Sequence, residues 1–301
     1  MGKMLLDMAG VSDIGCVRKE NQDHFLIADL RRQLTVRDTD VPSDELGEMY
    51  GCREGNLMVV ADGMGGHSNG EMASRIAVKA TAQYVLDMMQ WFLKLSPGDE
   101  QEFVEELAES LAAVQRRIWI ESDQGERSMG TTVTMSYLLW PKMYVVHAGD
   151  SRCYLFRQGV LRQLTTDHTV AQQFIDSGSM SIGDPGLDNW RHVLWNCVGG
   201  GAEKVRPEAI LTRLQVSDTI LLCSDGLSGM VGNDVIAAVL AENLASNLSV
   251  NALIAAAKQR GGKDNIAVVV CRVTGGDDCD PQTTPGFEST IVEAHGCGSP
   301  E

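Results

Sequence analysis

The sequence predicts an α+β protein whose strands pair antiparallel. Between residues 131 and 165, short strand-like runs follow one another with only Gly, Asp or Pro residues between them. Such spacing favours antiparallel neighbours, because a parallel crossover needs a dozen or more residues between its strands. Two long segments with helical periodicity, near residues 68–84 and 96–118, precede this region. Antiparallel strands combined with separate helices are typical of an α+β fold.

The first third of the chain carries strands, one excursion and a helix start. Residues 1–30 alternate short apolar stretches with polar turns, which predicts strands, and residues 31–56 are polar and predict a loop. A strand over residues 56–61 follows. Ser68 and Glu71 form a capping-box pattern, which predicts a helix start. The apolar positions of this helix recur at three-and-four spacing: Ala73, Ile76, Ala77, Ala80 and Tyr84.

A second helix is predicted to begin at Ser96-Pro97, because proline is tolerated in a first turn. Its apolar stripe consists of Phe103, Leu107, Leu111, Val114 and Ile118. A helical piece and a mobile Gly/Asp/Ser-rich stretch are expected within residues 166–200. The remaining predicted elements are strands near 205–211, 219–223 and 266–273 and helices near 233–243 and 249–259. Since no repeat or linker divides the chain, we predict one domain over residues 1–274 and a disordered tail over 275–301.

The composition describes a globular and strongly acidic chain. Of its 301 residues, 44% are hydrophobic and 22% charged, which is enough to bury a substantial core. The formal net charge is −16 and the pI is about 4.7. Such a surface repels nucleic acids and anionic membranes, so neither is expected as a partner. A phosphorylated substrate would need local positive charge, which bound divalent cations can supply.

Eight cysteines are scattered along the chain without a C-x-x-C pair. A disulfide framework belongs to short secreted chains and a zinc site needs close pairs, so reduced and mostly buried thiols are expected. The first residues lack the long apolar stretch of a secretory signal, and we predict a cytoplasmic protein. Nothing demands an oligomer, so a monomer is expected. The chain has no C-x5-R loop, which excludes the cysteine-phosphatase class.

Four aspartates stand where a strand meets a loop. Asp62, Asp150 and Asp225 each follow an apolar strand, and Asp264 comes just before one. A single Asp-Gly after a strand is ordinary turn chemistry. Four of them, mostly without a neighbouring lysine or arginine, would repel one another strongly if the fold brought them together. They would then need cations, and hard carboxylate oxygens suit Mg²⁺ or Mn²⁺.

Seven segments together resemble the ordered motif set of the metal-dependent protein phosphatases, the type 2C serine/threonine phosphatases. The Asp-Gly-Met-Gly-Gly-His form is similar to that of the compact bacterial branch. The resemblance covers roughly residues 8–273, and its specificity lies in the order of the segments. They are Ser12–Asp23, Ala61–His67, Gly130–Thr132, Ala148–Arg152, Leu164–His168, Cys223–Leu227 and Gly262–Asn265.

The resemblance implies both a fold and an activity. The fold is a sandwich of two packed antiparallel β-sheets flanked by helices on both sides, with metals in a cleft at one end. The activity is hydrolysis of phosphoserine and phosphothreonine by a water that bridges two Mg²⁺ or Mn²⁺ ions, without a phosphoenzyme. Phosphorylated proteins are the implied substrates, and a cognate serine/threonine kinase is the implied partner. Residues 1–274 would form the catalytic domain.

The resemblance also assigns metal ligands. Asp62 would bridge the two ions, and the Gly63 carbonyl would bind the second. Asp225 and Asp264 would complete the first ion's ligands, and Asp23 would act on the second ion directly or through water. Asp150 would join Asp225 at a third, weaker site.

Other positions would act on the substrate or support the site. Arg18 would grip the phosphate, for which a guanidinium fork is well shaped. His67 is either the acid that protonates the leaving group or a structural residue that caps the next helix. Gln22 stands where many members of the family have Glu, which would weaken the second ion's binding. Arg152 is expected to pair with a carboxylate, and Asn265 to position the Asp264 loop.

Residues 169–200 fall where bacterial members of the family have a flap beside the active site. We expect this flap to shape peptide access, with Arg191 or His192 in contact with substrate. Two other functions compete with the phosphatase. One is a metal-binding regulatory module without catalysis, against which the complete aspartate set and Arg18 argue. The other is a nuclease-like phosphoester hydrolase, which the net charge disfavours.

Overall fold

The computed structural model describes residues 4–30, 55–65, 68–92, 100–122, 129–200, 204–276 and 289–292. Its strands are β1 (Met4–Asp13), β2 (Asp23–Leu30), β3 (Gly55–Met64), β4 (Gly130–Thr131), β5 (Val133–Leu139), β6 (Lys142–Ala148), β7 (Arg152–Arg157), β8 (Val160–Gln163), β9 (Val198–Gly199), β10 (Glu208–Arg213), β11 (Thr219–Cys223), β12 (Ile266–Gly276) and β13 (Ser289–Val292). Its helices are α1 (Ser68–Phe92), α2 (Glu100–Glu121), α3 (Val170–Asp176), α4 (Asp225–Ser228), α5 (Asn233–Ala241) and α6 (Ser246–Gln259), with a 3-10 helix at Pro185–Asn189.

The strands form two antiparallel sheets, as expected for the α+β sandwich. One sheet has the order β1-β12-β11-β7-β8. The other has the order β13-β10-β6-β5-β3-β4-β9, and β2 pairs with the free edge of β3. Every pairing between these strands is antiparallel.

Strand β3 shows why the sheets and helices stack in layers. Met58 and Val60 point into the apolar layer between the two sheets. Leu57, Val59 and Ala61 point the other way, into the layer under α1 and α2. Because both faces are covered, the strand is a continuous apolar run instead of an alternating one. A third apolar layer lies under α5 and α6 on the outer face of the five-stranded sheet.

The predicted stripe of the second helix is confirmed. Its five residues are all buried in the layer against the eight-stranded sheet: Phe103, Leu107, Leu111, Val114 and Ile118. In the described residues this helix begins at Glu100, and Ser96-Pro97 lies outside them.

Three elements depart from the sequence prediction. Helix α6 begins at Ser246, where the Asp7 carboxylate of β1 accepts a hydrogen bond from Ser246 N at 2.7 Å. A cap from another segment leaves no local sequence pattern. The last long strand continues to Gly276, and Ser289–Val292 pairs with β10, although both stretches fall partly or wholly in the predicted disordered tail. The rest of the tail lies outside the described residues.

The register of the strands places the strand ends that carry aspartates at one end of the sandwich. Asp23 at the start of β2 pairs with Asp62 near the end of β3. Strand β11 ends just before Asp225. Its antiparallel neighbour β12 begins just after Asp264, at the same end of the sandwich. Among the described helices, none is long and apolar enough to span a membrane.

Candidate metal centre

The four aspartates singled out in the sequence are among the residues that line one open cleft of about 1500 Å³: Asp62, Asp150, Asp225 and Asp264. Asp62 lies in β3, Asp150 in the turn between β6 and β7, Asp225 at the start of α4 and Asp264 just before β12. Asp62 donates from its N–H to the Thr132 hydroxyl at 3.0 Å. Its carbonyl accepts from Thr132 N at 2.8 Å and from the Thr131 hydroxyl at 2.9 Å. The fold therefore brings these four aspartates to one cleft, which their spacing in the sequence left open.

Asp23 lies behind Asp62 and is almost completely buried, with 2% of its surface exposed. The Ser224 hydroxyl donates to Asp23 Oδ2 at 2.6 Å. Among the described residues, no donor group reaches the buried Asp23 Oδ1. A buried carboxylate oxygen without a donor is costly unless a cation balances it.

The carboxylates act on one another electrostatically. Burial, with the nearby Asp225 and Asp264, raises the pKa of Asp23 to about 7. Burial, with Asp225 and Asp167, raises the pKa of Asp150 to about 8. The pKa of Asp62 is raised well above its usual value by burial and then by its carboxylate neighbours. The protein's own cations therefore do not neutralise the cluster at neutral pH.

Arg18 faces this cluster from the loop between β1 and β2. Its guanidinium donates to Asp264 Oδ2 at 2.6 Å and is about half exposed to the cleft. That hydrogen bond is the main reason that the pKa of Arg18 is raised. The guanidinium therefore has exposed N–H groups beside the carboxylates.

Asn265 ties the Arg18 loop to the Asp264 turn. Its amide nitrogen donates to the carbonyls of Ile14, at 3.0 Å, and Glu20, at 2.9 Å. Its amide oxygen accepts from Gln22 N at 2.9 Å. The residue is buried, so these three bonds are shielded from water. The sequence analysis expected Asn265 to position the Asp264 loop. The structure shows in addition that its side chain holds both ends of the Arg18 loop.

Gly63 is the point where backbone packs against backbone. A Cβ there would collide with the Gly70 carbonyl oxygen of α1 and would lie 2.9 Å from the Gln22 carbonyl oxygen. Gly63 N donates to that Gln22 carbonyl at 3.1 Å. Only glycine lets β3, α1 and the Gln22 loop meet so closely beside Asp62.

The Asp150 loop is held by an ion pair. Arg152 makes a bidentate contact with Asp167, with Nε to Oδ1 at 2.8 Å and Nη2 to Oδ2 at 2.6 Å. The predicted pairing of Arg152 with a carboxylate is confirmed. Behind Asp62, the Thr132 and Ser151 hydroxyls share a hydrogen bond of 2.7 Å, which joins the two loops.

A second group of possible ligands lies below the cleft. His147, His168 and Glu208 place one ligand atom each within 4.8 Å of one another. His147 already bonds the Thr134 hydroxyl at 2.8 Å and the Thr166 carbonyl at 3.1 Å. Both Glu208 oxygens accept from Thr166, at 2.9 and 3.0 Å. The hydrogen bonds of His147 and Glu208 indicate that this group supports the fold.

The flap, residues 169–200, forms one wall of the cleft. Arg191 and His192 line it, and His192 Nδ1 lies 3.8 Å from Asp225 Oδ2. Hydrogen bonds connect the two ends of the flap: Val170 N, at the start of α3, donates to the Val193 carbonyl at 2.8 Å. The mobility that its composition suggested stays a prediction.

The structure thus brings together Arg18, Asp23, Asp62, Gly63, Asp150, Asp225 and Asp264. His67 lies outside the described residues, and its two predicted roles stay open. Ser224, which holds Asp23, was not predicted from the sequence. The only available signal was its position one residue before Asp225.

Comparison with known proteins agrees with this geometry. The family model described as protein phosphatase 2C matches residues 43–258. The serine/threonine phosphatase stp of Listeria monocytogenes is 31% identical over 216 residues, which are 71% of this chain and 83% of that protein.

Two solved structures are similar over most of the chain. The Mycobacterium tuberculosis serine/threonine phosphatase PstP/Ppp has a TM-score of 0.68 and 30% identity, covering 90% of this chain and 99% of that one. The catalytic domain of the serine/threonine protein phosphatase PstP in complex with two manganese ions has a TM-score of 0.66 and 30% identity, covering 91% and 100%. With its sandwich fold, its convergent aspartates and a family match over more than half its length, the chain belongs to the protein phosphatase 2C family.

Proposed function

We propose that this protein is a metal-dependent serine/threonine protein phosphatase that hydrolyses phosphoserine and phosphothreonine in proteins. The observation that carries the proposal is that Asp62, Asp150, Asp225 and Asp264 line one cleft together with an exposed Arg18 guanidinium. Carboxylates alone would repel a phosphate dianion. A cleft that combines them with an arginine fits a phosphate bound between cations and a guanidinium.

The residues present fit two Mg²⁺ or Mn²⁺ ions. All the side-chain atoms available as metal ligands are carboxylate oxygens, which these hard cations prefer. The buried Asp23 Oδ1, which no donor in the described chain reaches, and the raised pKa values of Asp23 and Asp150 support a cation beside them. The similar PstP catalytic domain forms a complex with the same number of manganese ions.

We assign the ligands as follows. Asp62, Asp225 and Asp264 would hold one ion, and Asp62 with the Gly63 carbonyl would hold the other. Asp23 would act on this second ion directly or through water. Asp150 and Asp225 would hold a third ion more weakly.

Each of the chain's own groups then has a defined task. When bound, the ions supply an activated water and neutralise the phosphate charge. Arg18 donates to the phosphate oxygens and orients the phosphorus for in-line attack. Asn265 keeps the Arg18 loop in register with Asp264. Ser224 holds the Asp23 carboxylate in one orientation. His67 is the proposed donor of the leaving-group proton, and His67→Gln should slow turnover more for poor leaving groups than for good ones.

One assay tests the proposal. Wild-type protein should release phosphate from a phosphothreonine peptide only when Mn²⁺ or Mg²⁺ is added. Asp225→Asn should lower kcat/KM at least about 100-fold, because a ligand and its charge are lost. Asp87→Asn, an exposed carboxylate on α1, is the matched control and should act like the wild type. Absence of metal-stimulated release in wild type would overturn the proposal and favour a metal-binding module without catalysis.

The flap supplies two further proposed contacts. Arg191 and His192 line the same cleft as Arg18, Lys19 and Lys263, so several basic groups are available to a phosphorylated substrate. We propose that Arg191 or His192 contacts the phosphopeptide. Arg191→Ala and His192→Ala should be compared by KM for the same peptide, and an unchanged KM in both would refute this contact.

The proposal extends to the kinase partner, the oligomeric state and the cellular compartment of the protein. The substrates would include the targets of a cognate serine/threonine kinase. The protein would act as a monomer in the cytoplasm; five described cysteines are unpaired, four of them buried, which suits a reducing compartment. Light scattering measures the oligomeric state, and phosphoproteins that accumulate when the gene is deleted identify the substrates.

A further inference from the structure

The exposed apolar side chains of this acidic protein are unevenly distributed. Among the described residues, thirteen large apolar side chains are exposed, and four of them lie in the flap between residues 182 and 195. They are Ile182, Trp190, Val193 and Trp195, with 85%, 40%, 41% and 37% of their surfaces exposed. Single exposed apolar residues are normal, but a concentration beside a functional cleft points to an interaction surface.

The two tryptophans are held in place although they are exposed. The Trp190 ring packs edge-on against Phe174 of α3, with centroids 5.8 Å apart. The Trp195 ring packs on His168, with centroids 4.9 Å apart. The backbone is fixed as well, because Trp195 N donates to the His168 carbonyl at 3.0 Å. Rigid, half-exposed aromatic rings lose little entropy on binding, which is why they often serve as anchors.

This surface is continuous with the catalytic cleft. Val193 lines the cleft, and so do Ile175 and Leu194 from the same side. Arg191 and His192 lie between Trp190 and Val193 and face the same cleft. We call Ile175, Trp190, Val193, Leu194 and Trp195 the apolar flap wall. An extended peptide advances about 3.3 Å per residue, so the neighbours of a phosphoresidue at the aspartates come within reach of this wall.

We propose that the apolar flap wall binds a hydrophobic side chain that neighbours the phosphorylated residue. The preferred substrates are therefore phosphoprotein segments in which a large apolar residue lies within two positions of the phosphoserine or phosphothreonine. The inference rests on the proposed phosphatase function for the placement of the phosphate. The basic groups around the cleft bind the phosphate, and the flap wall discriminates among the sequences that carry it.

The test compares two phosphothreonine peptides that differ only at the two positions on each side of the phosphothreonine, which are Leu in one and Ser in the other. Wild-type protein with Mn²⁺ should show about a tenfold higher kcat/KM for the Leu peptide, as expected for partial burial of apolar side chains. Val193→Ser and the double variant Trp190→Ala/Val193→Ser should reduce this ratio toward one. Val160→Ser changes an exposed valine of β8 that does not line the cleft, and it should keep the wild-type ratio.

The ratio between peptides is independent of the total amount of active protein, so a partly unfolded variant still reports on selectivity. Binding of both peptides to the Asp225→Asn variant by calorimetry gives a readout without turnover. A Leu preference in binding with no turnover in wild type would retain the flap inference and refute the phosphatase function. Equal kcat/KM and equal affinity for the two peptides in otherwise active protein would overturn the flap inference alone. A dimer that Val193→Ser converts to monomer would also overturn it, because the wall would then bind a second copy.

Discussion

The Ser224 hydroxyl donates a hydrogen bond of 2.6 Å to Asp23 Oδ2, across 201 positions of the sequence. The same Ser224 oxygen accepts from Ala267 N at 2.9 Å. One buried hydroxyl therefore links the strand that carries Asp23 with β12 and with the turn that carries Asp225. It leaves Asp23 Oδ1 as the buried carboxylate oxygen that no donor of the described residues reaches.

Ser224→Ala should weaken both the fold and metal binding. Loss of the hydroxyl leaves Ala267 N and Asp23 Oδ2 without their partner, which should lower the free energy of unfolding by about 2–3 kcal/mol. Mn²⁺ affinity should fall about 10- to 100-fold, because the partner that orients Asp23 is gone. Urea unfolding and calorimetric Mn²⁺ titration measure the two effects. Ser122→Ala, at the exposed end of α2, should change neither quantity.

Asn265→Ala should separate the Arg18 loop from the Asp264 turn. Three buried hydrogen bonds to Ile14, Glu20 and Gln22 are lost, and we expect KM for a phosphothreonine peptide to rise at least about tenfold. Asn265→Asp keeps the acceptor for Gln22 N but loses both donors, so its KM should lie close to that of the alanine variant.

Asn247→Ala, at the exposed start of α6, is the matched control for Asn265 and should keep the wild-type KM. Steady-state kinetics at saturating Mn²⁺ separates KM from kcat. A lower kcat with an unchanged KM would mean that Asn265 serves the metal ligands and not the Arg18 loop.

Arg18→Ala should lower kcat/KM for phosphopeptides about 10- to 100-fold with little change in stability. The guanidinium is half exposed, so its loss costs the fold little, whereas charge-assisted hydrogen bonds to a phosphate are strong. Arg18→Lys should recover only part of the activity, because an ammonium cannot form the paired hydrogen bonds of a guanidinium. Arg116→Ala, an exposed arginine of α2, provides the control. Full activity in Arg18→Lys would show that charge alone is required.

Removal of metal with EDTA should make stability depend on pH in a defined direction. The pKa of Asp150 in the fold is about 8, above the unfolded value of about 3.9, so the folded state binds the extra proton. The stability from that proton is fully present below about pH 4 and is lost as pH rises through about 8. Between pH 7 and pH 9, metal-free wild type should therefore lose about 1 kcal/mol more than Asp150→Asn.

Urea midpoints at pH 7 and pH 9 measure this difference, and Asp87→Asn should follow the wild type. The interval from pH 7 to pH 9 lies above the range in which the buried His147 and His168 affect stability. Burial lowers the pKa values of both, so in that lower range they make stability rise with pH. Saturating Mn²⁺ should remove the extra loss, because bound cations stabilise the ionised carboxylates. An identical pH dependence in wild type and Asp150→Asn would contradict the raised pKa.

Several features of this protein follow from local sequence. Helix α1 begins at Ser68, where the sequence pattern predicts a helix start, because helix-start signals and helical periodicity act within one or two turns. The apolar run before Asp62 predicts a strand that is buried on both faces, and β3 is such a strand. The family resemblance also named the aspartates that line the cleft, and a carboxylate partner for Arg152 was expected from the sequence.

Other features depend on contacts that no local pattern encodes. The partners of Asn265 lie 243 to 251 positions away, and that of Ser224 lies 201 positions away. The Asp7 cap of α6 and the pairing of Ser289–Val292 with β10 depend on which strand lies next to which. In the flap, composition indicated a loose segment, whereas packing on Phe174 and His168 holds two exposed tryptophans beside the cleft. The sequence by itself determined most helices and strands and the residue types of the site, because these depend on short-range periodicity and turn chemistry. The tertiary structure alone decided which groups hold those residues, because strand order and register determine which distant side chains meet.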